Sequence, residues 1–286
     1  MQNWSGKTGG THWMQRALVG IIRKTDIRFV YGLMHLWLIW YILVRSNERH
    51  GAYVFHRRRG RNRLQAALDV YRSFYHFGKA ILDRFAAYAG ENFEVEVINR
   101  ELYYGRVNEP RGFVMLFSHV GNTEMAGYFL PAPDKQLHIL AYGGESPVVM
   151  KHREQMLARN NIGMIPMMPN DMTHIYRIGE VIQSGDILSM AADRRMGDHT
   201  VTCTFMGTQA AFPAGPFRIC QTLKRPVLLV FVIKQNHHSY RVLCEQIEPS
   251  PDMAQHFAQR LEQMARTYPY QWFNFYDFWE PTAKSQ

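Results

Sequence analysis

The chain is poor in cysteine and lacks the short motifs that mark several enzyme classes. Its 286 residues include three cysteines and no CxxC pair, which argues against a disulfide framework. HExxH, GxSxG and Walker A motifs are absent, which disfavours the metalloprotease, serine-hydrolase and P-loop classes. Repeats and low-complexity tracts are also absent. With 47% apolar residues, the length suits one α/β domain with an appendage, or two small domains.

Acidic residues are scarce at the start of the chain. Residues 1–84 hold 15 of the 33 lysines and arginines but only 4 of the 24 acidic residues, and the whole chain has a net charge of +9. Such a basic segment attracts a polyanion, either nucleic acid or an anionic membrane face. The nearby aromatic residues cluster in an apolar run and do not alternate with the arginines, which favours the membrane over nucleic acid.

Two apolar segments predict a membrane-associated helical region over residues 1–63. Apolar side chains recur about every four residues from Thr11 to Lys24, with cations largely off that face, as in interfacial helices. Phe29–Val44 is then a run without charged residues, shorter than the roughly 20 residues of a full span. A short span, a helix lying in the interface and a helix buried against the protein's own core are all compatible with it.

Residues 64–286 alternate between helical and strand patterns. Apolar residues recur at helical spacing over residues 64–90, and Gly112–Ser118 has the pattern of a buried strand. This alternation predicts an α/β domain with a mixed, largely parallel sheet flanked by helices. The other predicted strands are Phe93–Ile98, Leu137–Ala141, Met164–Pro166, Ile187–Ala191, Thr200–Phe205, Val227–Ile233 and Tyr240–Ile247. The other predicted helices are Met125–Leu130, Ser146–Asn160, Asn170–Ser184, Pro216–Leu223 and Asp252–Tyr268.

A histidine and a glutamate follow the predicted buried strand. His119 and Glu124 flank a glycine turn, and Asn122 between them is a reasonable N-cap for the next helix. Catalytic groups of α/β sheets gather at strand carboxyl ends. We expect Glu124 to accept from one imidazole nitrogen and to leave the other as a base. In the simpler alternative, His119 satisfies backbone groups and Glu124 interacts with the helix dipole.

The chain resembles one enzyme family through this spacing and through further blocks in the same order. Histidine, four residues and an acid are similar to the HX4(D/E) motif of the lysophospholipid acyltransferase superfamily. Over residues 25–280 the chain resembles the lipid A biosynthesis (lauroyl/myristoyl) acyltransferases. The matching blocks are Phe113–Leu130, Ala192–Arg194, Phe205–Gly207, Phe212–Pro216, Pro226–Val227 and Pro269–Phe273. Ala214 stands where glycerolipid acyltransferases of the FPEG type have a glutamate, which the lipid A branch does not require.

This resemblance implies a membrane-associated acyltransferase that moves a fatty acyl chain from an acyl thioester to a hydroxyl of a lipid acceptor, foremost a lipid A precursor. It implies no metal and no cofactor beyond the thioester, with acyl carrier protein as the expected donor and coenzyme A as the alternative. The expected location is the cytoplasmic face of a bacterial inner membrane, with no nucleic-acid partner. Three rival functions stay open: acylation of a lysophospholipid, amino-acid lipid or polyene lipid, non-catalytic binding to anionic membranes, and metal-dependent hydrolysis.

The resemblance also implies roles for individual residues. We expect His119 to be the general base, Glu124 its orienting acid, and Arg194 the stabiliser of an oxyanion or of a substrate phosphate. A structural Asp193–Arg194 ion pair is the alternative for Arg194. The residues expected to bind substrate are Gly121, Asn122, Asp193, Phe212, Pro213 and Gly215. A purely structural role in turns is the alternative for Gly121, Phe212, Pro213 and Gly215.

Overall fold

The structure is a computed structural model. It describes residues 18–143, 161–168, 171–195 and 199–280, together with the single positions 150, 154, 157, 158 and 197. Most of the helix predicted at Ser146–Asn160 and the first part of the one predicted at Thr11–Lys24 lie outside the described residues. Residues 18–22, at the end of the latter, are helical.

The described residues form an α/β structure, which confirms the predicted fold class. The helices are α1 (Ile27–Val44), α2 (Ser46–Arg58), α3 (Arg63–Ala89), α4 (Arg100–Val107), α5 (Ala126–Phe129, preceded by a 3-10 turn at Thr123–Met125), α6 (Thr173–Gln183), α7 (Ala214–Leu223) and α8 (Met253–Thr267). The strands are β1 (Glu94–Ile98), β2 (Phe113–Phe117), β3 (Leu137–Tyr142), β4 (Ile162–Met167), β5 (Ile187–Ala191), β6 (Thr200–Phe205), β7 (Thr208–Pro213), β8 (Val227–Lys234) and β9 (Ser239–Gln246).

Seven strands form one mixed sheet in the order β1-β9-β8-β2-β5-β3-β4. The β8–β9 pair is antiparallel and the other pairs of this sheet are parallel. All residues of the central strands β2 and β8 are buried, as expected for parallel strands covered on both faces. β6 and β7 form a separate antiparallel hairpin.

The sheet separates two apolar cores, and β2 contributes to both. Val114 and Leu116 belong to the core that includes α6, α7 and α8. Phe113, Met115 and Phe117 belong to the core that includes α4 and α5. This alternation follows from the period of two along a strand. It holds the carboxyl end of β2 firmly in place between two packed layers.

The three N-terminal helices form a layer of their own, in which α1 lies antiparallel along α3. Near one end, the Tyr31 hydroxyl donates to Asp83, and near the other end Leu38 packs with Val70 and Phe74. A capping box at Asn62 starts α3. The predicted boundary between residues 63 and 64 therefore coincides with the start of α3, and it stays a prediction as a domain boundary.

Helix α2 lies inside the predicted helical region of residues 1–63, but the sequence analysis does not single it out as a helix. The segment is strongly polar, and its arginines suggested only a basic stretch. Its buried side includes Ala52, Phe55 and His56, and Phe55 packs edge-on against the Trp272 ring at 4.7 Å between centroids. Contacts with residues more than 200 positions away thus hold α2 in the fold. Such contacts leave no signal in the local sequence pattern, so the pattern does not predict them.

Candidate active site

The candidate site lies where two neighbouring parallel strands end. β2 and β5 pair in parallel with Phe117 opposite Ala191. His119 and Asp193 each follow two residues later, at the same edge of the sheet. This is the position where α/β sheets gather ligand-binding and catalytic groups. The register of two strands therefore brings together residues that are 74 positions apart in sequence.

His119 and Asp193 form a closely coupled pair. The His119 Nδ1 atom lies 2.6 Å from Oδ1 of Asp193, and the His119 backbone N–H donates to Oδ2 at 2.7 Å. The imidazole is 30% exposed whereas the carboxylate is 2% exposed. A carboxylate at Nδ1 keeps the proton of the neutral imidazole on that nitrogen. Nε2 is then left without a proton and can act as a base.

The Asp193 carboxyl is held in its charged form. Burial raises the pKa of this group, but the adjacent His119 imidazole, its two hydrogen bonds and the Arg194 charge lower it more, so the pKa lies below its ordinary value. The Trp272 indole also donates to Oδ2 at 3.2 Å. A buried carboxylate with these partners is fixed in position, and it fixes the orientation of His119 in turn.

The C-terminal segment holds the His119 loop from the opposite side. The Phe273 N–H donates to the His119 carbonyl at 2.8 Å, and the Gly121 N–H donates to the Gln271 carbonyl at 2.7 Å. Val120 and Trp272 form an isolated antiparallel bridge between them. This segment is the Pro-x-Gln-Trp block of the sequence, and its role in the structure is to pair with the loop that carries the histidine.

Gly121 and Asn122 anchor the loop to the sheet. Gly121 has φ +78°, and a Cβ atom there would lie 2.0 Å from the Val232 carbonyl oxygen, so the chain needs glycine at this point. The Asn122 N–H donates to the same carbonyl at 2.8 Å. The Asn122 side chain is buried, and its amide donates to the Ala80 carbonyl and the Tyr240 hydroxyl at 2.9 and 3.2 Å.

Asn122 therefore differs from the expected N-cap. It precedes the 3-10 turn, but its side chain makes no capping hydrogen bond because the amide group points into the protein. The substrate-binding roles of Gly121 and Asn122 stay predictions, and the anchoring contacts are what the structure shows.

Glu124 lies in a different place from the one expected for an orienting acid. Asp193 occupies the Nδ1 side of the imidazole, and the half-exposed Glu124 carboxylate forms an ion pair with Arg84 of α3. The reason is the anchoring of Asn122, since the 3-10 turn begins directly after it and carries Glu124 toward α3. The sequence did contain a signal for Asp193. His119 and Asp193 each come just after a predicted strand, so parallel pairing of these two strands would bring the two residues together.

The remaining predicted site residues are Arg194, which lies beside Asp193, and a second group of Phe212, Pro213 and Gly215 on β7 and α7. Arg194 is half-buried beside Asp193, and its guanidinium donates to the Phe273 carbonyl at 3.3 Å. Burial lowers the pKa of this guanidinium, and the Asp193 charge opposes that effect. Phe212 and Pro213 end β7 as buried residues, with the Phe212 ring packed against Phe205 at 5.6 Å. Gly215 is exposed in the first turn of α7.

These placements bring together part of the predicted site. His119, Asp193 and Arg194 lie at one edge of the sheet. Gly121 and Asn122 belong to the loop that carries the histidine. Phe212 is fully buried in the core, so the structure gives it no accessible surface for a ligand. Trp272 and Arg84 contact the site although the sequence analysis did not select them. Within the described residues, no group of three or more His, Cys, Asp or Glu side chains forms a possible metal site.

An oriented histidine at the carboxyl edge of a mixed sheet can act chemically as a base toward a hydroxyl nucleophile. The family comparison agrees with this chemistry. The profile of the bacterial lipid A biosynthesis acyltransferases matches residues 81–280. The chain belongs to this family and is an acyltransferase.

The other comparisons add less. No curated protein matches the chain. Among solved structures, it is similar to the 1-acyl-sn-glycerophosphate (LPA) acyltransferase PlsC from Thermotoga maritima, with 13% sequence identity and a TM-score of 0.40. That match covers 84% of this chain and 96% of the other.

Proposed function

We propose that this acyltransferase works at a membrane surface and moves a fatty acyl chain from a thioester to a hydroxyl of a lipid A precursor. The observation that carries the chemistry is the His119–Asp193 pair, with Nδ1 held by a buried carboxylate at 2.6 Å. The family supports the acceptor, because the name of its profile states lipid A biosynthesis. Acceptors of other lipid classes are the alternative, and the experiment below separates them.

The proposed reaction is a direct transfer. Nε2 of His119 takes the proton of the acceptor hydroxyl as the hydroxyl oxygen forms a bond to the thioester carbonyl carbon. Asp193 stabilises the resulting imidazolium without taking its proton. The tetrahedral intermediate then expels the thiolate, which receives the proton from His119. The products are an ester and a free thiol, and no bond forms between the acyl group and the enzyme.

Arg194 is the cation that we propose for the oxyanion of that intermediate or for a phosphate of the acceptor. It follows Asp193 directly and is half-buried at the same edge of the sheet. Its guanidinium also donates to the Phe273 carbonyl at 3.3 Å, which holds it beside the His119 loop. The ion pair of Glu124 with Arg84 lies on the α3 side of the loop, where we propose that it contributes to the binding of the polar part of a substrate.

The membrane part of the proposal rests on α1. It is the one helix among the described residues that is long and apolar enough to cross a membrane. Its large apolar side chains are mostly exposed, including Leu36 and Trp37 at 75% and 73%. A continuous exposed apolar face of this kind marks an interaction or membrane surface. Basic residues beside it suit an anionic leaflet.

The packing of α1 favours a helix that lies in the interface over one that crosses the bilayer. Eighteen residues measure about 27 Å, slightly less than the hydrocarbon core. α1 also packs along α3 through both of its ends, from Tyr31 with Asp83 to Leu38 with Phe74. A spanning α1 would carry the buried charge of Asp83 and Lys234 into the membrane with it, at a high energetic cost. We therefore propose a monotopic arrangement at the cytoplasmic face of the inner membrane.

We propose acyl carrier protein as the donor, with coenzyme A as the alternative. The support is charge: residues 1–84 contain 15 basic and 4 acidic residues, and such a surface steers an acidic partner toward the enzyme. Arg57 and Arg58 are exposed near the end of α2, which makes them the first positions to test for donor binding. No cofactor beyond the thioester and no metal is part of this proposal.

The test is lipid mass spectrometry on a host strain that lacks the protein and is complemented with variants. The wild type should restore a lipid carrying one more acyl chain, whereas His119→Ala should leave its precursor. The precursor identifies the acceptor, and the mass difference identifies the acyl group. His256→Ala, an exposed histidine on α8, is the matched control and should behave as wild type. If His119→Ala also restores the lipid while present at equal levels in the membrane, His119 is not the base.

A further inference from the structure

A groove of about 550 Å³ opens within the helical layer. Ile39, Ile42 and Leu43 line it from α1, and Val70 lines it from α3. Its volume is within the range of about 300–1,000 Å³ that is typical of small-molecule sites. None of its lining residues belongs to the candidate active site, so the groove is a separate feature of the protein.

One end of the groove is polar and positively charged. Arg49 and His50, from the first half of α2, are part of the lining. Arg49 donates to the Ile42 carbonyl at 3.1 Å, which uses one of its five guanidinium donors. The nearby acid Glu48 pairs with Arg45 at 3.5 Å, so the positive charge of Arg49 is not cancelled. The groove thus has an apolar body and a cationic end.

The groove also adjoins the exposed apolar face of the layer. Leu64 and Leu68 are exposed large apolar residues on α3. They share one helix face with Ala67 and Tyr71 of the groove lining, because these positions follow the spacing i, i+3, i+4 and i+7. Leu43 of α1 lines the groove and is itself exposed. A ligand can therefore enter from an apolar surface without first crossing water.

We propose that this groove binds an anionic phospholipid of the bilayer, with an acyl chain between α1 and α3 and the phosphate against Arg49 and His50. The apolar body fits a hydrocarbon chain, and the cationic end complements a phosphate, for which a guanidinium is the best-suited side chain. The bound lipid would fix α1 to α2 and α3 at the membrane surface. The site shares the membrane setting of the proposed function, but it does not depend on acyl transfer.

The experiment uses the full-length protein on phosphatidylcholine vesicles that contain phosphatidylglycerol with a photoactivatable acyl chain. Crosslinked peptides are mapped by mass spectrometry. Labelling should concentrate on peptides that contain Ile42 and Val70. Ala67→Trp, which fills the groove at an exposed position, should lower this labelling at least about tenfold, equivalent to ~1.4 kcal/mol. Leu68→Trp adds a similar ring beside the groove and should leave it unchanged.

A second pair of variants tests the headgroup. Arg49→Gln keeps a donor for the Ile42 carbonyl but removes the charge, and it should weaken labelling by phosphatidylglycerol more than labelling by a phosphatidylcholine with the same chain. Arg218→Gln, an exposed arginine on α7, is the control for net charge. This pair also keeps the test valid if Ala67→Trp fails to fold.

The outcomes separate this site from the catalytic proposal. His119→Ala should be labelled as the wild type is, although its acyl transfer is lost. If labelling instead spreads evenly over the outer face around Trp37 and ignores both Ala67→Trp and Arg49→Gln, the groove is not a lipid site. That result would leave the catalytic role of His119 unaffected, since acyl transfer is measured independently.

Discussion

Two apolar segments of this protein, β8 and α1, differ in how much of their surface the fold buries. All eight residues of β8 are buried between two packed layers. α1 is also strongly apolar, yet most of its large side chains face outward, with Leu36 and Trp37 among the most exposed. Burial of β8 contributes directly to folding. The outward face of α1 contributes little to it, and an exposed apolar face of this kind is typical of an interaction or membrane surface.

The same contrast separates the polar groups of the two regions. At the sheet edge, a buried carboxylate orients a histidine for chemistry. In the helical layer, buried charges such as Asp83 with Lys234 connect helices to the sheet. The sheet region therefore holds the candidate catalytic residues and much of the packed core, and the helical layer carries the exposed apolar face that we propose to lie at the membrane. Variants that change one of the two regions can therefore be compared with the other region as a reference.

The largest expected effect comes from the carboxylate behind the histidine. Asp193→Asn should lower kcat about 10³-fold or more, because an amide no longer imposes the correct tautomer or stabilises the imidazolium. Glu124→Gln should have a smaller effect on kcat, since Glu124 pairs with Arg84. Both are measured with a purified acyl thioester and acceptor at matched protein stability. A larger loss of kcat in Glu124→Gln would return the orienting role to Glu124.

The next effect concerns the stability of the sheet. Phe231→Ala, at a fully buried position of β8, should lower the free energy of unfolding by about 3–5 kcal/mol, since it leaves a cavity between packed layers. Leu36→Ala on α1 should change it by about 0.5 kcal/mol or less. Thermal or denaturant unfolding of both variants measures the difference. Equal losses would mean that the outer face of α1 is part of the folding core.

A glycine pair tests how tightly the histidine loop is held. Gly121 and Gly207 both have φ +78°, but only a Cβ at Gly121 would meet a backbone oxygen, that of Val232. Gly207→Ala should cost about 1–2 kcal/mol of stability from the left-handed backbone alone. Gly121→Ala should cost more and should also lower kcat by displacing His119. Unfolding and turnover measurements on both variants test this, and equal costs would exclude a close contact at Gly121.

The outer face of α1 should determine membrane binding. Replacing Leu36, Trp37 and Leu43 by serine should reduce binding to anionic vesicles at least about tenfold, a loss of ~1.4 kcal/mol or more. The folded core should be unchanged because these side chains are exposed. Serine at Met172, Ile175 and Tyr176 of the α6 region, which are also exposed, is the matched control. Co-sedimentation measures the binding, and equal losses in the two triple variants would remove the special role of α1.

The smallest effect is a pH dependence within the helical layer. Burial, followed by the Arg59 charge, lowers the pKa of His56 from 6.5 to about 4. The unfolded chain therefore takes up a proton at a higher pH than the folded chain does, and the stability present above pH 6.5 is lost as the pH falls toward 4. The loss at pH 6 should be on the order of 1 kcal/mol.

His56→Gln should make the free energy of unfolding less sensitive to pH in this window. His76 of α3 has its pKa lowered to about 4 in the same way, so part of the dependence should persist in the variant. Unfolding curves at pH 7, 6 and 5 measure the slopes. Identical slopes for the wild type and His56→Gln would show that His56 is protonated equally in both states.

The strands show why much of this fold was predictable. Ile187–Ala191 and Thr200–Phe205 have the predicted bounds, and Val227–Lys234 differs from its prediction by one residue. Their apolar patterns are local and match a period of two or a buried run. α4 and β7 were missed, because a short helix and a hairpin strand with few apolar residues carry weak local signals. The layer helix α2 was missed because its few buried residues depend on partners at the other end of the chain.

The candidate site, too, was predictable from local sequence only in part. His119 was identified from its place after a buried strand, since the carboxyl end of a strand is a local feature. The sequence analysis expects Glu124, five residues away, to accept from one imidazole nitrogen, whereas the structure has the Asp193 carboxylate at Nδ1. Spacing along the chain favours near neighbours, but the register of β2 and β5 places a distant residue closer. Trp272 reaches Asp193 for the same reason.

The sequence by itself determined the class of fold, the basic and apolar character of the N-terminal region, the family and the candidate histidine base. These follow from patterns that repeat within a few residues or from blocks in a constant order. Only the tertiary structure decided which carboxylate faces that base, which aromatic residues are core and which face of α1 is exposed. These depend on strand register and on helix packing, and both are set by contacts between residues far apart in the chain.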